Sequence, residues 1–335
     1  MTQSATSTSL SVPRRILLVV AIGILFLAIA GVIYENISET RDRRFNPMTG
    51  QLVDVGGRKM HIDCAGQGMP VVIFESGLGD SFLSWRKVQP EVAKFTRTCS
   101  YDRAGIGYSE TSSGPRTSRV FAEQLHALLQ AASVSPPYIL VGHSMGGYDV
   151  RLFASRFRGE VAGMVLVDAS HPDQENRFPP ELKAMEGSWL RDAEFVAYTM
   201  PFGLPRLMDL CDDDPVLRAA ECNFQTAFEN MAEIKSFPRS AAETAATGSL
   251  GDMPLAVLSH DPDRPSADLP PDVAKVTNDA WEKMQVELSH LSTRGTETIV
   301  KGSSHYIQID RPEAVVAAIK NVYGQAIQAA APKPN

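Results

Sequence analysis

The chain has no basic excess and, after residue 45, no polybasic run. Its 32 Lys and Arg stand against 39 Asp and Glu, a formal charge of -7. A nucleic-acid face needs a surplus of cationic side chains, so no nucleic-acid partner is expected. Cysteine is scarce, with four in 335 residues, and none has Cys-x-x-Cys or another metal-ligand spacing. No metal and no organic cofactor is therefore expected. No internal repeat points to a solenoid or propeller, and no Gly/Ser/Gln-rich tract follows residue 45. What remains is 44% apolar content over a length that suits one large α/β domain with an insertion.

Charge is also missing from Ile16 to Ile33, an apolar run preceded by a Ser/Thr-rich tail and Arg14-Arg15. Its 18 residues match the short end of a membrane-spanning helix, roughly 17 to 25 residues. A soluble core helix would show polar positions every third or fourth residue. The expected order is a polar tail at 1–15, a transmembrane signal-anchor helix at 16–33 and a linker at 34–50. Ala28-Ile29-Ala30 is a small-x-small triplet that a signal peptidase could cut, leaving a secreted or periplasmic protein. The length of the run favours the uncut anchor. Flanking charge does not orient it, because Arg14 and Arg15 on one side are matched by Arg41, Arg43 and Arg44 on the other.

Beyond the linker, strand-length apolar runs alternate with helix-period segments. Gln51 to Val55 and Lys59 to Cys64, split by Gly56-Gly57, read as a hairpin. Val71 to Glu75 reads as a strand buried on both faces, and Phe82 to Phe95 as a helix. Strands are expected at Thr98 to Asp102, Tyr138 to Gly142, Gly163 to Asp168, Leu255 to Ser259 and Glu297 to Val300. Helices are expected at Ser118 to Ala132, Tyr148 to Phe157, Val273 to Leu291 and from Pro312 to about Ala329. This alternation implies a mostly parallel sheet with helices on both faces, whose strand carboxyl ends carry the chemistry. Residues 51–170 and 252–330 form the core, and 171–251 read as a helical lid, since so long a structureless loop is improbable.

Gly142-His143-Ser144-Met145-Gly146 stands between the strand Tyr138 to Gly142 and a helical segment, the context of a Gly-x-Ser-x-Gly nucleophile elbow. Ser144 is the expected nucleophile. The helix starting at Met145 aims free amides at the site. With the loop Ser76-Gly77-Leu78-Gly79-Asp80, it points to the amides of Leu78 and Met145 as an oxyanion hole. Among seven histidines, His305 follows the last strand and precedes the closing helix, the position of the base. The ring of His143 should point away from Ser144, and His61, His126, His260 and His290 have no partner in the elbow. The acid is Asp168, at a buried strand end, or alternatively Asp261, in a Pro-rich turn with Asp263.

From about residue 50 to 325 the chain resembles the α/β-hydrolase superfamily, which implies an eight-stranded, mostly parallel sheet and a helical lid. Besides the elbow, Tyr101-Asp102-Arg103-Ala104-Gly105-Ile106-Gly107-Tyr108-Ser109 resembles the superfamily's Asp-Arg-x-Gly-x-Gly-x-Ser loop. Gly79 to Trp85 is similar to the segment after its oxyanion loop, although Ser76-Gly77 replaces the usual His-Gly. Haloalkane dehalogenases share the layout, and some carry the acid where Asp168 falls. They and the epoxide hydrolases use an aspartate nucleophile, whereas position 144 is serine, which implies acyl transfer. The expected activity is a carboxylesterase on small or medium apolar esters. Amidase, thioesterase, lactonase and carbon-carbon bond hydrolysis are alternatives on the same machinery, and a non-catalytic receptor or interaction module is the reading from another class. In this fold Cys64 and Cys99 lie on neighbouring strands, and Cys211 and Cys222 lie together in the lid. Two disulfides would imply an oxidising compartment, with the catalytic domain outside the cytoplasm; four buried free thiols are the alternative.

Overall fold

The computed structural model describes residues 12–264 and 269–330. The eight strands are β1 (Gln51–Asp54), β2 (Lys59–Ala65), β3 (Val71–Glu75), β4 (Thr98–Tyr101), β5 (Tyr138–His143), β6 (Val161–Val167), β7 (Leu255–Ser259) and β8 (Gly295–Ile299). They form one sheet in the order β1-β2-β4-β3-β5-β6-β7-β8. The β1–β2 and β2–β4 pairs are antiparallel, and every pair from β4 to β8 is parallel. The chain runs from β3 out to β4 and then crosses back to β5. The crevice between the carboxyl ends of β3 and β5 is therefore the topological switch point, where open α/β sheets place their ligands.

The seven longest helices are α1 (Val12–Phe45), α2 (Ser118–Ala131), α3 (Gly146–Arg156), α4 (Pro180–Thr199), α5 (Phe224–Ala245), α6 (Pro271–Ser289) and α7 (Pro312–Ala330). Side chains alternate across the sheet as a pleated strand requires. Ile73, Leu140 and Leu166 pack under α2 and α3 with Leu125 and Val150. Phe74, Val141 and Val165 face the other way, toward Trp85 and the α7 residues Ile319 and Val322. Cys64 stands directly opposite Cys99 across β2 and β4, and the two are joined as a disulfide. Cys211 and Cys222 form the second.

Two stretches depart from the expected elements. Phe82 to Phe95 is not one helix but a 3-10 turn, Phe82–Trp85, followed by a single helical turn, Gln89–Val92, that carries Pro90 near its start. The segment 34–50 is not a linker throughout, because α1 continues to Phe45 before Pro47. No Gly or Pro interrupts it there, and Glu35, Ser38 and Asp42, spaced to share one helix face, are buried against the protein. The tail at 1–15 lies outside the described residues as far as position 11.

Between β6 and β7 the chain leaves the sheet and builds a helical insertion. It contains α4, α5, the short helices Gln174–Arg177, Leu204–Leu207 and Pro215–Glu221, and the turn Met200–Phe202. Asn223 caps α5 by accepting from the Thr226 amide at 2.9 Å. Ala197 and Met200 from the end of α4 pack with Ala227 and Met231 of α5.

Candidate active site

Ser144 follows β5 directly and has φ of 51°, left-handed backbone that a non-glycine side chain adopts only under local constraint. Its neighbours explain the constraint. A Cβ at position 142 would lie 2.6 Å from the Gly146 carbonyl oxygen. One at position 146 would lie 2.7 Å from that of Ser76. Glycine is thus required on both sides of the serine, and Gly146 is what lets the elbow approach the loop after β3. The Ser144 amide donates to the Val167 carbonyl at 3.2 Å, and the Ser170 amide donates to that of Ser144 at 2.9 Å. These bonds fasten the turn to the end of β6, where Asp168 follows. The Ser144 side chain is partly exposed.

Asp168 is fully buried, also with positive φ, 45°. His305 Nδ1 lies 2.6 Å from its Oδ2. Trp281 Nε1 donates to Oδ1 at 2.8 Å, and the His260 amide does so at 3.0 Å. His260 Nδ1 is 2.9 Å from Oδ2. Burial pushes the Asp168 carboxyl up, but the hydrogen bonds and charges of His260 and His305 outweigh it and hold it well below the usual carboxylate range. It is an anion whose oxygens are saturated with donors. Asp261, the alternative, does not touch His305. It accepts from the Gly302 amide at 2.8 Å and from Lys301 Nζ at 2.9 Å, and so closes a surface turn.

His260 is the residue that the sequence reading passed over. It directly follows β7, and the parallel register that pairs β6 with β7 sets it beside Asp168. Burial lowers the His260 pKa, but the Asp168 contacts prevail and the net direction is upward. His143 sits between the active-site loops. Its Nε2 is 3.0 Å from the His305 carbonyl, and burial lowers its pKa. The elbow and the His305 loop therefore touch through His143. Among the described residues no hydrogen bond joins the Ser144 hydroxyl to His305.

The loop after β3 is held from beneath by Arg103. All five guanidinium N–H groups are used: two to Glu233 at 2.9 Å, one to Glu75 at 2.9 Å, one to the Ser76 carbonyl at 2.8 Å and one to that of Gly77 at 2.6 Å. Glu233, on α5, also accepts from the Gly79 amide at 2.9 Å. The amides of Leu78 and Met145 donate to no acceptor among the described residues. Their side chains pack together with Phe121, Tyr148, Phe237 and Ala241, the last two from α5. The Asp-Arg loop has a structural partner as well: His61 Nδ1 is 2.8 Å from Asp102 Oδ2, both fully buried.

A strained serine turn at the switch point, beside a buried carboxylate that holds a partly exposed histidine, defines the α/β-hydrolase class. A protein-family model for the alpha/beta hydrolase fold matches residues 70–236. The uncharacterized protein YqjL of Bacillus subtilis is 28% identical over 261 residues, 78% of this chain and 86% of its own. A haloalkane dehalogenase of Sphingobium indicum is 26% identical over 307 residues, 80% of this chain and 93% of its own. A thermophilic esterase from Thermogutta terrifontis superimposes with a TM-score of 0.59 at 21% identity, covering 83% of this chain and 99% of that one. The chain belongs to the α/β-hydrolase superfamily.

Proposed function

We propose that this protein is a membrane-anchored serine hydrolase, a carboxylesterase of small or medium apolar esters. The observation that carries the reading is the contact of the buried Asp168 with the partly exposed His305, 2.6 Å apart, on loops that meet the Ser144 turn. In this mechanism His305 takes the Ser144 proton as the hydroxyl attacks the ester carbonyl. Asp168 holds the imidazole by Nδ1 and stabilises its cationic form, and His260 positions Asp168 from the other side. The amides of Leu78 and Met145 receive the oxyanion, and His305 then protonates the departing alcohol. Water, activated in the same way, releases the acid from the acyl-enzyme.

The N-terminal half of α1 is the proposed span. None of its apolar stretch is buried inside the protein, as a helix surrounded by lipid requires. Two disulfides support a catalytic domain on the oxidising side, outside the cytoplasm.

Purified wild-type protein should hydrolyse a p-nitrophenyl ester and take up a fluorophosphonate label, and Ser144→Ala should lose both. Retained turnover in Ser144→Ala would sink the nucleophile assignment. A folded wild-type chain that never labels would favour a non-catalytic interaction module. Asp168→Asn should lower kcat by roughly 10³-fold or more and Asp261→Asn by less than about threefold; the reverse ranking would move the acid to Asp261. An amide, thioester and lactone panel run beside the ester sorts the chemistries that share this machinery.

A further inference from the structure

The insertion and α1 are fitted to each other where the apolar run ends. A Cβ at Gly31 would lie 2.4 Å from the Phe202 carbonyl oxygen, and one at Gly203 would lie 2.6 Å from the Tyr34 ring. The first is a backbone contact that requires glycine; the second is with a side-chain ring, at a position whose φ of 69° favours glycine in its own right. Just beyond them Arg206 reaches α1, donating to Glu35 at 2.9 Å and to Asp42 at 2.5 Å, with its side chain 6% exposed. The height of the insertion along the helix is thereby set. Gly31 lies two residues inside the end of the charge-free run at Ile33, about 3 Å along the axis at 1.5 Å per residue. Phe202 is therefore at the level where a spanning helix leaves the hydrocarbon.

At that level the insertion shows water an apolar surface. Tyr198 is 58% exposed, Leu207 is 65% exposed, and Phe202, Leu204, Met208 and Leu210 are exposed with them. Two charges fall between Met200 and Leu210. Arg206 is neutralised by α1, which leaves Asp209 exposed. The Cys211–Cys222 disulfide and the Arg206 bond to the Cys222 carbonyl, 2.7 Å, pin the far end of the segment. So much exposed apolar surface on one short segment marks an interaction face. Its tie to the last turn of the span selects the occupant, and aromatic and aliphatic side chains at the headgroup boundary are what such a face uses.

We infer that the Tyr198–Leu210 face of the insertion rests in the headgroup–acyl boundary of the leaflet from which α1 emerges, so that the catalytic domain works against the bilayer and takes acyl esters partitioned into it. The inference rests on the membrane-spanning reading of α1 and deepens the esterase reading. The insertion joins the two ends: α4 and the Met200–Phe202 turn carry the face, and α5 behind them covers Leu78 and Met145.

The test uses the full chain in phosphatidylcholine/phosphatidylglycerol vesicles, with Leu207→Trp compared against Ile327→Trp on α7 and against wild type. Flotation with the vesicles after carbonate extraction reports the span on its own. Leu207→Trp emission should be blue-shifted and quenched by phosphatidylcholine brominated near the headgroup, with Ile327→Trp quenched no more than wild type. A chain that floats while Leu207→Trp matches Ile327→Trp overturns the inference and leaves the anchor standing; a chain that does not float overturns both. A Leu207→Asp/Met208→Asp/Leu210→Asp variant should lose on the order of tenfold in turnover of a long-chain ester in vesicles, with a water-soluble acetate ester unchanged. Equal effects on the two substrates would refute membrane delivery. If neither the acetate ester nor the fluorophosphonate reacts with wild type, the esterase reading fails, and the quenching result still decides whether the face is membrane-bound.

Discussion

Arg103 and Arg206 each bind the helical insertion to something outside it, and they do so differently. Arg103 lies on the inner seam, 2% exposed, and spends two donors on Glu233 of α5 and three on Glu75 and the carbonyls of Ser76 and Gly77. Arg206 lies on the outer seam, within the insertion itself, and holds two carboxylates on α1. The inner seam fixes the backbone of the proposed oxyanion loop; the outer one fixes the height of the insertion along α1. One insertion thus links α1 to the candidate active site through two separately breakable joints.

Breaking the inner joint should cost most. Arg103→Met leaves the Glu75 and Glu233 carboxylates buried without their main cationic partner, with only Arg116 at 3.8 Å from Glu233, so unfolding free energy should fall by about 3–5 kcal/mol, read by urea denaturation, with hydrolysis lost alongside it. Near-wild-type stability and rate would mean that α5 is not held here. Arg206→Met should cost less, about 1–2 kcal/mol, because Arg218, 3.6 Å from Asp42, still offsets part of the orphaned charge. A water-soluble ester should still be turned over at the wild-type rate. A rate loss as large as that of Arg103→Met would show that the two seams are not separable.

The smallest effect sharpens the comparison through pH. Glu221, at the end of the short helix Pro215–Glu221, accepts from the Ser81 hydroxyl at 2.6 Å and so adds a third contact between insertion and loop. Burial, helped by the Asp80 charge, pushes its carboxyl up to about 7. A carboxyl raised on folding contributes stability that is fully present below its unfolded pKa and lost as pH rises through the folded one. Melting temperature should therefore decline between about pH 5 and 8, and Glu221→Gln should flatten that decline. An identical slope in the variant would exclude Glu221 as its source.

The legible and illegible parts of the site divide by the range of the interaction. The elbow could be read because strand, glycine, serine, glycine and helix are contiguous, and steric demand within six residues dictates them. His305 and Asp168 could be read as strand-end positions in chain order. His260 could not, because its role depends on the register between β6 and β7, which brings residues 92 positions apart into hydrogen-bond range. Glu233 carries no local signal either, because its partners Arg103 and the Gly79 amide lie 130 and 154 positions away. The segment after Ile33 looked like a linker because Glu35, Ser38 and Asp42 give no apolar stripe; their burial is polar and needs Arg206 opposite.

By itself the sequence determined the class of fold, the serine turn and the apolar helix, since periodicity, glycine sterics and an uninterrupted charge-free run are local properties of the chain. Tertiary structure placed Asp168 and not Asp261 against His305, brought His260 to the same carboxylate, and set the insertion against both the loop after β3 and α1. Those choices depend on which groups share a desolvated space, where an unpaired charge is expensive and a paired one is directional. That space exists only after the sheet has closed its register and the helices have packed.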